Sequence, residues 1–184
     1  HHQTAYGMMP IPGVMAGALA RRIKNGKLAI LGRALPLLNN PLTVAEEYAM
    51  LDVITRGNFI AGFVRGIGAE YHTFGVNPAE SLGRFQEAHD LIIKALSTRT
   101  GPFDWEGQHF QYRSVNVWPQ PWQQPHPPVW ITGRSPQNVR EIAEKGYVLL
   151  RETLRRTGKV GIARVVLRTR EYLCAVMPPA DALV

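Results

Sequence analysis

The chain carries one cysteine, Cys174, in 184 residues. A lone thiol excludes an internal disulfide, and a reducing cytoplasm is the default compartment. No apolar run approaches the ~18 residues that cross a bilayer, and no signal peptide opens the chain, so no membrane partner is expected. A G-x-S-x-G elbow, a phosphate-cradling Walker loop and a cysteine-based site are all missing. Tyr71, His72, His109 and His126 have no metal-ligand spacing, so no metal is expected. Basic runs interleaved with aromatics are also lacking. The net charge of +7 is unevenly spread, with seven Lys/Arg against three acidic residues in 151–184 and fourteen against eleven before it. Charge gathered on a tail reads as a solvated surface, so no nucleic-acid partner is expected.

What is present is an ordinary globular composition, 45% hydrophobic and 19% charged, which excludes a disordered or fibrous chain. Residues 13–24 have helical composition, with Asn25-Gly26 as a stop. Residues 27–31 form an apolar run of strand length, followed by a loop. Thr43 and Glu46 stand in capping-box spacing at the start of a helix over 43–54, whose Val44, Tyr48 and Leu51 share a face. The strand 59–64 (FIAGFV) hands off to a glycine-rich loop at Arg65-Gly66. Asn77-Pro78 caps a helix to about Ser97, which buries Phe85, Ala88, Leu91, Ile92, Ala95 and Leu96 at spacings of three and four.

Residues 101–117 read as a small hairpin, and the proline-rich 118–128 as an extended surface connection. A strand over 129–132, a helix over 136–145 capped by Ser135, and a strand over 147–150 complete the series. Strands alternating with helices predict an α/β fold on a parallel sheet with right-handed crossovers, either open or closed into a barrel. A complete (β/α)8 barrel needs about 250 residues, more than this chain has.

With these elements placed, residues 1–150 resemble the bacterial luciferase-like flavin-dependent monooxygenases. The resemblance rests on the His1-His2 doublet, AEEYAMLDVITRGNFIAGFVRG, NPAESLGRF, FDWEGQHFQY and PHPPVWITGRSP, in that order. It implies a (β/α)8 TIM-barrel fold, here a partial barrel lacking its first and last strands, with His1-His2 at the end of the second. Residues 151–184 fall outside the likeness. They read as a divergent basic tail, native or the product of a shifted reading frame, whose apolar pieces (Val165 to Leu167, Tyr172-Leu173) are expected to form a helix. Two open strand edges favour a homo-oligomer.

The resemblance further implies reduced FMN as cofactor, or the deazaflavin F420 in some branches. A separate flavin reductase would supply the flavin, and O2 and a small organic molecule would be the substrates. By the same resemblance His1 serves proton transfer in the oxygen chemistry, although a chain terminus is prone to fray. Val64 meets the isoalloxazine ring or is plain core, and Arg65 lies beside the flavin and its phosphate or pairs at the surface. Arg84 reaches the phosphate or is a solvated helix arginine, and Gly133, Arg134 and Ser135 hold the phosphate at a helix N-terminus. Leu31-Gly32 lies where the family often has a non-prolyl cis peptide against the ring. A guanidinium fork suits phosphate oxygens, and neighbouring glycines let the backbone approach closely.

Overall fold

The computed structural model describes residues 1–132 and the strands 161–167 and 170–176. They belong to two compact units, His1–Thr132 and Gly133–Val184. In the first unit the order is α1 (Pro12–Ala20), β1 (Leu28–Ala34), α2 (Leu42–Ile54), β2 (Phe59–Val64), α3 (Gly68–Thr73), α4 (Ser81–Ser97), β3 (Phe103–Glu106), β4 (Gln111–Val115) and β5 (Val129–Ile131). Short 3-10 turns at Leu35–Leu37 and Pro78–Glu80 precede α2 and α4.

The expected parallel sheet is present, with strand order β1-β2-β5. Leu28 pairs with Phe59 and Ala61 with Val129, so β2 is the middle strand. Five of its six residues are buried, as a parallel strand covered on both faces requires. The core lies where α2 and α4 cover the sheet. Val44, Tyr48 and Leu51 from α2 meet Phe85, Ala88, Leu91, Ile92, Ala95 and Leu96 from α4, together with Phe59, Ala61 and Phe63. Every apolar position expected from the helical spacing is buried. Among the described residues the three strands form no closed barrel.

Between Ile30 and Arg33 the β1–β2 register shifts by a bulge. Gly62 lies against this bulge so closely that a Cβ on it would fall on the backbone of Ile30 and Leu31. Tyr48, fully buried, donates its hydroxyl to the Gly62 carbonyl at 2.9 Å. Burial, together with the adjacent Glu47 carboxylate, pushes the Tyr48 phenol well up, which keeps it a neutral donor.

Three local expectations are corrected. The helix α2 begins at Leu42 with Pro41 at its N-cap; Leu42 N donates to Asn40 Oδ1 at 3.1 Å, while Thr43 Oγ1 donates back to the Asn40 carbonyl at 2.8 Å. With its hydroxyl turned backwards, Thr43 forms no capping box with Glu46. The loop after Arg65 contains the short helix α3, missed because Ile67, Gly68 and Ala69 carry no start signal. The tail segments expected to be helical are instead two antiparallel strands, β6 (Gly161–Leu167) and β7 (Arg170–Val176), with Leu167 paired to Arg170. Their β-branched and aromatic content favours a strand, and apolar pieces this short do not reveal their period.

The hairpin β3–β4 is present and antiparallel, with Trp105 opposite Tyr112. It is fastened to α4 by Glu87. Glu87 Oε1 accepts from Trp105 Nε1 at 3.1 Å and from Phe110 N at 2.9 Å, and Oε2 accepts from His109 N at 2.8 Å. Burial alone would raise this carboxyl. The three donors and the charge of His109 outweigh it and hold the group below the ordinary carboxylate range.

A depressed folded-state value means that the contribution to stability is complete at neutral pH, above the unfolded value. It is lost as pH falls through the folded value. Acid titration followed by tryptophan near-ultraviolet CD is therefore expected to loosen the hairpin below the ordinary glutamate range. Glu87→Gln, which keeps one acceptor for three donors, should be loosened already at neutral pH and lack that acid step.

Candidate flavin-binding site

At the C-terminal ends of the parallel strands the chain forms a cleft of about 420 Å3. Parallel α/β sheets place ligands at this end, because loops and helix starts converge there. The end of β1 contributes Leu31, Gly32 and Arg33, the end of β2 contributes Val64, and the following turn contributes Gly66. Glu70 comes from α3, and His1 and His2 from the N-terminal segment. A larger hollow of about 610 Å3 lies at the opposite end of the sheet, between α1, the start of β1 and the end of α2. It is lined by exposed Arg21, Lys24 and Arg56 and touches none of the expected site residues.

The structure brings together four of the expected positions. Leu31 leaves 62% of its surface exposed, high for a leucine at a strand end. Gly32 lies flat against Val64, and a Cβ there would strike both Val64 methyls. The result is a smooth apolar wall beside His1. Gly66 adopts a left-handed φ of 90°, and a Cβ on it would crowd Glu70 Oε2. The Leu31-Gly32 peptide is trans: among the described residues the cis bonds are Trp118-Pro119 and Gln124-Pro125. The close approach to the wall comes from the bulge and from glycine's missing side chain.

The two arginines turn elsewhere. Arg65 Nη2 donates to Ser81 Oγ at 2.8 Å, while its buried Nε has no partner among the described residues. Arg84 donates from Nε to the Pro36 carbonyl at 3.1 Å and from Nη2 to the Leu38 carbonyl at 2.9 Å, with its guanidinium over the Phe110 ring. It thus ties α4 to the segment after β1, a role outside both sequence readings. Gly133, Arg134 and Ser135, and the segments 136–145 and 147–150, lie outside the described residues.

Two site residues escaped the sequence reading. Arg33 lines the cleft because β1 runs on to Ala34, past the apolar run that signalled it. Its Nη2 lies 3.5 Å from Glu47 Oε2, and its buried Nε and Nη1 have no partner among the described residues. Burial raises the Glu47 carboxyl, with Arg33 opposing. Glu70, only 2% exposed, accepts from His2 N at 2.8 Å and from Ile67 N at 2.9 Å, and lies 3.2 Å from His1 Nδ1. The His1 ring also meets Tyr6 edge-on. Burial lowers the His2 imidazole, opposed by Glu70 and aided by Arg33.

Residues 1–161 match the luciferase-like monooxygenase family. The chain belongs to that family. It is 33% identical over 147 residues to the protein y4wF of Sinorhizobium fredii, covering 79% of this chain and 42% of that one. It is 26% identical over 146 residues to the oxygenase component of the flavin-dependent trigonelline monooxygenase of Acinetobacter baylyi, covering 79% and 40%. Among solved structures, the monooxygenase RslO1 from Streptomyces bottropensis superposes with a TM-score of 0.65 at 28% identity, covering 73% of this chain and 41% of that one. The chain thus spans about two fifths of the length of these luciferase-like relatives. A short match of another lineage joins them: 63% identity over 35 residues, 19% of this chain and 13% of that one, to the non-homologous end joining protein Ku of Coxiella burnetii. Among the described residues no helix is long and apolar enough to cross a membrane.

Proposed function

We propose that the cleft is part of the reduced-FMN site of a monooxygenase that oxygenates a small organic molecule, fed by a separate flavin reductase. The observation that carries this is the flat wall of Leu31, Gly32 and Val64 beside His1, at the strand ends of a luciferase-like sheet. The residues fit a flavin: a planar ring needs an apolar surface without protruding atoms, and the Gly32–Val64 contact supplies one. Arg65, whose Nε has no partner among the described residues, would turn that nitrogen to the phosphate. Bound reduced flavin supplies the electrons with which O2 is activated. The chain's own part is to orient the ring, to exclude water at the apolar wall and to offer His1 as proton donor or acceptor.

The test is a fluorescence titration with oxidised and reduced FMN. We expect saturable binding, weakened about tenfold or more by Gly32→Val, equivalent to roughly 1.4 kcal/mol. Absence of binding up to about millimolar FMN would end the reading for this polypeptide. Parallel titration with F420 separates the deazaflavin alternative.

A second reading concerns the C-terminal unit, and the short Ku match favours it. The family match ends at residue 161 and the luciferase-like relatives align over 146–151 residues, which leaves the end of the chain as the place for most of a separate 35-residue match. We infer that the end of the chain, basic over 151–184 with seven Lys/Arg against three acidic residues, comes from a Ku-like lineage. If it kept a nucleic-acid function, DNA binding would be strong at low salt and fall steeply as salt rises. No binding at low salt would exclude that function.

A further inference from the structure

We propose that Glu70 is the positioning residue of the cleft: it fixes the tautomer of His1 so that Nε2 is the free nitrogen presented to the ligand. The inference rests on the role proposed for His1 above, and goes beyond it in naming the group that orients the ring and the nitrogen that acts.

The geometry is specific. Glu70 is one of three buried polar or charged residues among the described core, at 2% exposure, and it lines the cleft. Its oxygens divide their work. Oε2 accepts from Ile67 N at 2.9 Å, which closes the first turn of α3. Oε1 faces the N-terminal segment, accepting from His2 N at 2.8 Å and lying 3.2 Å from His1 Nδ1. Capping alone would occupy one oxygen; the second is committed to the histidines.

An ionised carboxylate can only accept, so the nitrogen facing it must carry the proton. His1 Nδ1 is then N–H, and neutral imidazole leaves Nε2 as an acceptor on the far side of the ring. This is the logic by which a carboxylate orients a working histidine in other sites. The His1 side chain keeps 43% exposure, so the ring stays reachable from the cleft. Tyr6 meets it edge-on at 5.4 Å, which restricts its rotation. Arg33 also lines the cleft, but its guanidinium leans toward Glu47, 3.5 Å away. Gly66 completes the arrangement, since any side chain there would displace Glu70 Oε2.

The experiment is long-range 1H–15N NMR of the histidine-labelled chain at about pH 8, where an ordinary imidazole is neutral. The His1 signals are assigned by their loss in His1→Gln. We expect wild-type His1 as the Nδ1–H tautomer. In Glu70→Ala we expect the Nε2–H form, ordinary for an unconstrained imidazole, to become the majority. A purely structural role for Glu70 would lower the melting temperature without moving the tautomer. Wild-type His1 found mainly as Nε2–H overturns the proposal, and that measurement needs no variant to fold. Unchanged Nδ1–H in a folded Glu70→Ala overturns it equally.

FMN titration of the same samples keeps the two readings apart. A tautomer switch without FMN binding supports Glu70 as the positioning residue and removes the flavin from the site. FMN binding without a switch preserves the flavin and removes Glu70 from its role.

Discussion

Gly62→Ala is expected to leave little folded protein, although it adds a single methyl group. The new Cβ would fall on the carbonyl of Ile30 and the backbone of Leu31, at the bulge where β1 leans over β2. Overpacking against side chains typically costs about 1–3 kcal/mol, because rotamers shift to make room. Backbone in a parallel ladder has no rotamer to change. The penalty should therefore exceed about 3 kcal/mol, a large share of the roughly 5–15 kcal/mol that holds a domain together. It should also strain the hydrogen bond from Tyr48 to the Gly62 carbonyl. Soluble yield and the urea midpoint read the effect. Gly17→Ala in α1 is the control, since nothing lies within 4 Å of a Cβ there, and a gain of roughly 0.5–1 kcal/mol is expected. A Gly62→Ala chain as stable as wild type would show that the bulge yields freely.

Asp52→Ala is the second large effect. Asp52 is fully buried near the end of α2 and accepts both Gln123 N and Gln123 Nε2 at 2.7 Å. Gln123 Nε2 also donates to the Phe59 carbonyl at 2.9 Å. These bonds hold the proline-rich connection against the start of β2. Removing the carboxylate leaves two donors unsatisfied at about 1–3 kcal/mol each, so a loss near 3 kcal/mol is expected. Gln123→Ala should cost less, because the backbone N–H of residue 123 still donates to Oδ2 while Oδ1 alone loses its donor. The double variant should then cost much less than the two single losses added together. Trp122, packed over Gly57 beside this site, gives a fluorescence signal for the loosened connection. Additive losses would mean that the two residues act separately.

The same contrast governs how much of the molecule could be read in advance. The periodicity of α2 and α4 and the apolar run of β2 name their buried faces correctly, because burial there follows from spacing along one element. The hairpin at 101–117 and the extended 118–128 follow equally from turn chemistry and proline. Asn77 caps the turn before α4 as expected, its Oδ1 accepting from Ala79 N at 3.1 Å. The Thr43 box does not form because the helix starts earlier, at Leu42 after Pro41, a boundary that spacing does not resolve. The strands β6 and β7 were missed because short apolar pieces fit either period, and their partners across the hairpin decide.

Of the candidate site, the lineage and the strand-end positions of Leu31, Gly32 and Val64 were legible in the residues alone. Leu31, Gly32 and Val64 stand at the ends of recognisable strands, and strand ends of a parallel sheet converge on one cleft. Only the tertiary structure decided what the charged groups do. Arg84 closes on the carbonyls of Pro36 and Leu38, 46–48 residues away, and Arg65 on Ser81. Glu87 gathers the hairpin donors, and Glu70 reaches His1 across 69 residues. An apolar face is specified by local period, whereas the partner of a buried charge is whichever group folding brings within about 3 Å of it. That distance is a property of the packed chain, and no local pattern encodes it.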